Sequence, residues 1–125
     1  MSDADFKDIS KEIMKTANAN ISGLSGLKQS IPNSKAKLAD RLNSLGLNGK
    51  TLTAGMRSAR QGLGNIGQIA AKNDQVLKYV KRVDEAGNNL LDVFMVRKSK
   101  WDALDDKVKK DNSQLFSQLT QMGQD

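Results

Sequence analysis

An all-α fold, an elongated antiparallel helical hairpin with a long C-terminal helix, is what the sequence predicts. Three observations carry that prediction. Apolar residues recur at three- and four-residue spacing, not in alternation. No proline follows position 32, so nothing in the second half forbids a long helix. From residue 76 onward the apolar positions step by four and three in turn, the register of a coiled-coil seam. At 125 residues the chain fits a single domain.

Helix one is expected over residues 4–31. Phe6, Ile9, Ile13, Ala17, Ile21, Leu24, Leu27 and Ile31 fall on one helical face. Asp3 or Asp5 can accept the free N–H groups of its first turn, and Pro32 ends it. A connection over residues 32–51 holds a short helix with Ala36, Leu38, Ala39, Leu42 and Leu45. Asn33 or Ser34 would cap that helix and Gly46 would stop it. Asn48-Gly49 marks a turn, and Thr51 or Thr53 would cap the return arm.

The return arm is expected over residues 52–97 and a charged helical tail over 98–125. Within them the seam runs Val76, Val80, Val83, Gly87, Leu90, Phe94, Arg97, Trp101, Leu104, Val108, Asp111 and Leu115. The interruption at Ala86-Gly87-Asn88-Asn89 is the expected weak point, a kink in a long helix. Part of this seam has no surface within the chain to cover it. Val76, Val80, Val83, Leu90, Phe94, Trp101, Leu104 and Val108 are therefore the expected partner-binding residues, because large apolar and aromatic side chains carry most interface energy.

Composition narrows the function classes. Leu, Ile, Val and Phe make up 29 of the 125 residues, about 23%, close to the level of about 20% below which chains stay disordered; a thin core gains stability from a partner. Cysteine and histidine are both absent, which removes thiolate chemistry, disulfides, the commonest metal ligand and the commonest base near neutral pH. The chain reads as a non-enzymatic binding protein with no metal and no cofactor. The N-terminus is acidic and has no long apolar run, and no stretch approaches the ~20 residues of a membrane span. A cytoplasmic protein, or one exported without a cleaved leader, is expected.

Net charge is +6, and the excess lies in the middle: residues 34–74 carry seven Lys/Arg against two Asp. Lys35, Lys37, Arg41, Lys50, Arg57 and Arg60 are the candidate anion-binding set. Residues 62–67 spell G-x-G-x-x-G, with Asp84 about 20 residues further on as in dinucleotide sites. That fingerprint needs a buried strand ahead of its first glycine, whereas Ser58-Ala59-Arg60-Gln61 precede it. Gly55, Ala59, Gly62 and Ala70 read instead as a small-residue stripe allowing close helix approach. The acids Asp102, Asp105, Asp106 and Asp111 interleave with lysines and read as a solvated helix face.

The layout over residues 4–95, with residues 45–49 at the turn and 66–94 as return helix, resembles the small helical-hairpin proteins of bacterial type VII secretion, the WxG-type proteins and the partner proteins of LXG-domain toxins. The resemblance implies a targeting or chaperone role, the chain packing beside a helical toxin or paired small protein, or as a homodimer. Competing classes are a basic nucleic-acid-binding or phage-type accessory protein and a helical inhibitor or immunity protein.

Overall fold

In a computed structural model the chain is a mixed α/β protein built on one antiparallel sheet. The structure describes the backbone of residues 2–20 and 33–121 and, within these, the side chains of residues 2–17, 37–47, 51–55 and 63–121. Its elements run α1 (Asp3–Asn20), α2 (Asn33–Ser44), β1 (Asn48–Gly55), α3 (Met56–Lys72), β2 (Gln75–Val83), β3 (Asn89–Arg97), α4 (Lys98–Asp102), α5 (Asp106–Asp111), α6 (Ser113–Phe116) and β4 (Thr120–Gln121). The sheet order is β1-β3-β2-β4.

This overturns the all-α hairpin and its coiled-coil seam. Residues 75–97 are not a helix but a β-hairpin in which every residue of β2 pairs with β3, from Gln75 opposite Arg97 to Val83 opposite Asn89. Five of the six valines lie in these two strands, where a branched Cβ packs well on a pleated surface and loses less freedom than in a helix. The expected kink at residues 86–89 is the hairpin turn. Asp84 Oδ1 accepts the N–H groups of Ala86 (2.9 Å) and Asn88 (2.8 Å), and Gly87 takes φ +85°, a left-handed conformation that favours glycine. The long C-terminal helix is likewise replaced, by three short helices and a two-residue strand.

Side chains alternate across the pleat, so each face of the sheet owns a separate cluster. On one face Leu52, Ala54, Leu77, Tyr79, Leu91, Val93 and Met95 pack against Ile13, Met14 and Ala17 of α1 and Leu63, Ile66 and Ala70 of α3. On the other, Val76, Phe94 and Val96 pack against Leu38 and Leu42 of α2 and Leu47, with Trp101, Leu104, Leu115, Phe116 and Leu119 of the C-terminal segment partly buried over them. The sheet is thus a layer between two sets of helices.

Local signals agree with the structure where they concern short-range chemistry. Helix α2 ends as expected at Gly46, whose φ is +71°; Leu47 N–H then reaches back to the Leu42 carbonyl at 2.8 Å, the closure of a Schellman-type cap. Helix α1 begins at Asp3, but its side-chain cap is Ser2, whose Oγ accepts from Asp5 N–H at 3.1 Å. Thr51 and Thr53 lie in β1, and Gly55 stands at the α3 N-cap. Residues 62–67 fall inside α3, with no strand feeding the first glycine. Of the small-residue stripe, Ala70 is buried in the core and a Cβ at Gly55 would meet nothing within 4 Å. Helix one beyond residue 20, with Pro32, lies outside the described residues.

Candidate functional site

The sheet face that carries α2 changes character along the strands, and the change defines the site. Cross-strand partners form rows. Val76 and Val96 make the first row, Lys78, Phe94 and Thr51 the second, Val80, Asp92 and Thr53 the third, and Arg82, Leu90 and Gly55 the fourth. Helix α2 and Leu47 cover the apolar first row. The later rows bring in Lys78, Thr53, Asp92 and Arg82, a polar and charged strip beyond the apolar first row.

Asp92 organises the strip. Its side chain is nearly buried, and a buried carboxylate is costly unless its oxygens are satisfied. Thr53 Oγ1 donates to Oδ1 at 2.7 Å, and Arg82 Nε donates to Oδ2 at 2.7 Å from the diagonal position on β2. The Arg82 side chain is 22% exposed, and its terminal amines make no hydrogen bond among the described residues. An arginine fixed at Nε with both terminal N–H groups unused is a pre-oriented fork for a planar or tetrahedral anion.

Lys78, directly across from Phe94, is held differently. Its ammonium lies 4.5 Å from the Trp101 ring centroid, a cation–π contact, and Trp101 in turn packs at 5.0 Å on Phe116. Burial pushes the Lys78 pKa below its ordinary value, with the Asp102 carboxylate working in the opposite direction.

A second polar cluster joins the far end of the sheet to α1. Arg97, nearly buried, donates to Asp3 and stacks 5.3 Å over the Phe6 ring, while Asp74 accepts Ser99 N–H at 3.0 Å. Ser10 Oγ donates to Gln75 Oε1 at 2.6 Å. Arg97 and Lys100 together hold the Asp3 carboxyl below its usual range. These contacts tie the N-terminus and α4 to the sheet and are spent on that.

The expected partner-binding residues scatter across this frame. Val76, Val80, Leu90 and Phe94 share the α2 face of the sheet by register, and Trp101 and Leu104 pack over it. Val83 projects to the opposite face and is 62% exposed; Val108 is half-buried on α5. Of the expected anion-binding set, Lys37 and Arg41 are exposed one turn apart on α2; the side chains of Lys35, Lys50, Arg57 and Arg60 lie outside the described residues. In the acidic run, Asp102 pairs with Lys98 at 2.7 Å and Asp105 caps α5 through Val108 N–H. Sequence reasoning misses Arg82, Asp92, Lys78 and Thr53. The usable signal is branched-residue enrichment, the valine-rich run of residues 76–83 with a turn and a second such run after it.

Among the described residues no helix is long and apolar enough to cross a membrane. Compared with known family models, curated proteins and solved structures, the chain matches none.

Proposed function

We propose that the chain is a binding protein for a phosphate-bearing polymer, single-stranded nucleic acid, held along the charged strip of the sheet. The observation that carries this reading is the Asp92–Arg82 pair, which fixes a guanidinium on the sheet face and leaves its terminal amines unused. Lys78 lies four residues away on the same strand and face, about 13 Å at the rise of a β-strand; it is buried beneath Trp101, so Arg82 makes the first phosphate contact and Lys78 a second only where Trp101 moves aside. Lys37 and Arg41 extend the positive surface at the α2 end, and the net charge of +6 draws polyanions at long range. A single strand is favoured over a duplex because the strip's charged residues sit on the strands of a sheet face, where a single strand can lie along them, and not on a helix placed to enter a groove.

The secretion-partner reading needs a continuous helical seam with nothing in the chain to cover it. Most of those side chains are used within the sheet and its cover, so that support is gone. Fluorescence anisotropy with a labelled oligonucleotide of about 12 nucleotides tests the polymer reading. Binding should weaken steeply between about 50 and 200 mM salt, and Arg82→Ala should weaken it at every salt concentration. Absence of binding at low salt, or binding indifferent to Arg82→Ala, sinks the proposal. Equal binding of polyglutamate would replace nucleic acid with an acidic protein segment.

A further inference from the structure

We infer that residues 98–121 form a displaceable strap over the inner half of the strip, so that strap closure and polymer binding compete for Lys78. The inference rests on the nucleic-acid reading for its ligand, but the strap itself stands on separate observations. In this segment Asn112 is the only buried residue; α4, α5 and α6 contain none. At its far end β4 pairs with β2, among the described residues, at two positions, Thr120 with Tyr79 and Gln121 with Lys78, against nine paired positions between β2 and β3. A segment with so few buried groups opens well below the free energy of global unfolding. Its near end is fixed instead: Lys98 N–H donates to the Asp74 carbonyl at 2.9 Å, and Ser99 N–H to the Asp74 carboxylate at 3.0 Å, which makes residues 98–99 the pivot.

What lies beneath the strap gives its opening a consequence. Phe94 is fully buried and Lys78 almost so, and the two are direct cross-strand neighbours on one face. Trp101, carried by the strap, occupies the position above Lys78. Lifting the strap therefore uncovers an ammonium beside the strap-facing side of the Phe94 cluster, whose other side stays packed on α2, with Arg82 two rows away on the same face: phosphate contacts next to an apolar surface on which a base can rest. With the strap down only Arg82 is reachable. A ligand that binds the open form alone has its apparent affinity reduced by the fraction of molecules open.

The test uses the full chain. Hydrogen exchange without ligand should show amides of residues 99–121 exchanging at least about tenfold faster than those of β3. Adding oligothymidylate of about 12 nucleotides should make the single tryptophan, Trp101, more quenchable by acrylamide. Phe116→Ala, which removes the Trp101 neighbour and part of the strap's own packing on the sheet cluster, should raise oligothymidylate affinity several-fold; Asp105→Ala, which removes the exposed α5 cap, should do the same more weakly and serves if Phe116→Ala does not fold. Strap and β3 amides exchanging in one common step would overturn the strap. Fast strap exchange with affinity unchanged or lowered in both variants would overturn the competition. If neither wild type nor variants bind oligothymidylate at low salt, the ligand reading and the competition fall together, while exchange still decides whether the strap opens.

Discussion

Asp92 carries more of the strip than any other side chain. It is 2% exposed, and its two oxygens hold Thr53 and Arg82. Asp92→Ala removes both bonds and leaves a guanidinium half-sheltered without a counter-charge. Hydrogen bonds to a charged group contribute about 1.5–3 kcal/mol each, and the partial exposure of Arg82 discounts its share. The expected loss is about 2–3 kcal/mol by denaturant titration, with Asp92→Asn losing less because its amide oxygen can still accept from Thr53. Lys78 has the opposite sign. Burial lowers its pKa, so the unfolded chain holds more protons in the alkaline range just below the ordinary value of 10.5, and stability must rise with pH across that window. Lys78→Met should abolish the rise while leaving neutral-pH stability equal or higher, since replacing a desolvated charge by an apolar chain of similar length is often neutral or favourable. Melting curves at successive pH values decide it; a steeper rise in the variant would show that the ammonium is not penalised in the fold.

At the scale of elements, short-range signals are legible in the sequence and the identity of the two central strands is not. Gly46 reads as the stop of α2 because a left-handed C-cap is a local requirement, and it takes that conformation. The stretch from Val76 to Arg97 reads as helix for a physical reason. β2 from Gln75 to Tyr79 and β3 from Leu91 to Arg97 are buried without alternation, because helices cover both faces. Strands buried on both faces lose the period of two that would reveal them, and Val76, Val80 and Val83 with Leu90, Phe94 and Trp101 then satisfy a four-and-three register by coincidence of spacing. With the strands misread, Lys78 and Arg82 become solvated helix positions and the strip is invisible. Branched-residue enrichment and the Asp84 to Asn88 turn are the contrary signals. The turn also yields a prediction. A Cβ at Gly87 would meet nothing within 4 Å, so Gly87→Ala adds no clash and exposes the backbone cost alone. At φ +85° that cost is about 1–2 kcal/mol, a fall of several degrees in melting temperature. A melting temperature unchanged within a degree would mean the turn is not held in this conformation.

For the molecule as a whole, one sheet separates two apolar clusters, drawn from a chain with only 29 residues of Leu, Ile, Val and Phe. Among the described residues α1 and α3 pack on the Leu77, Tyr79, Val93 face and α2 on the Val76, Phe94, Val96 face. The β2–β3 ladder belongs to both. Loss of either helical layer exposes one face of the same paired strands, so the two clusters should fail together in a single transition. Ile66 on α3 is 1% exposed and Leu42 on α2 is 0% exposed. Truncation of a buried Ile or Leu to Ala costs about 2–5 kcal/mol, and side chains on opposite faces share no neighbour, so their losses should add within about 0.5 kcal/mol. Trp101 sits on the α2 side, across the sheet from Ile66, and reports that side alone by fluorescence, whereas far-ultraviolet circular dichroism reports the whole chain. Ile66→Ala should therefore move the Trp101 transition by the same denaturant increment as the dichroism transition. A Trp101 transition left in place while the dichroism signal shifts would mean that the α2 face stands without the α1–α3 layer, and that the sheet does not couple them.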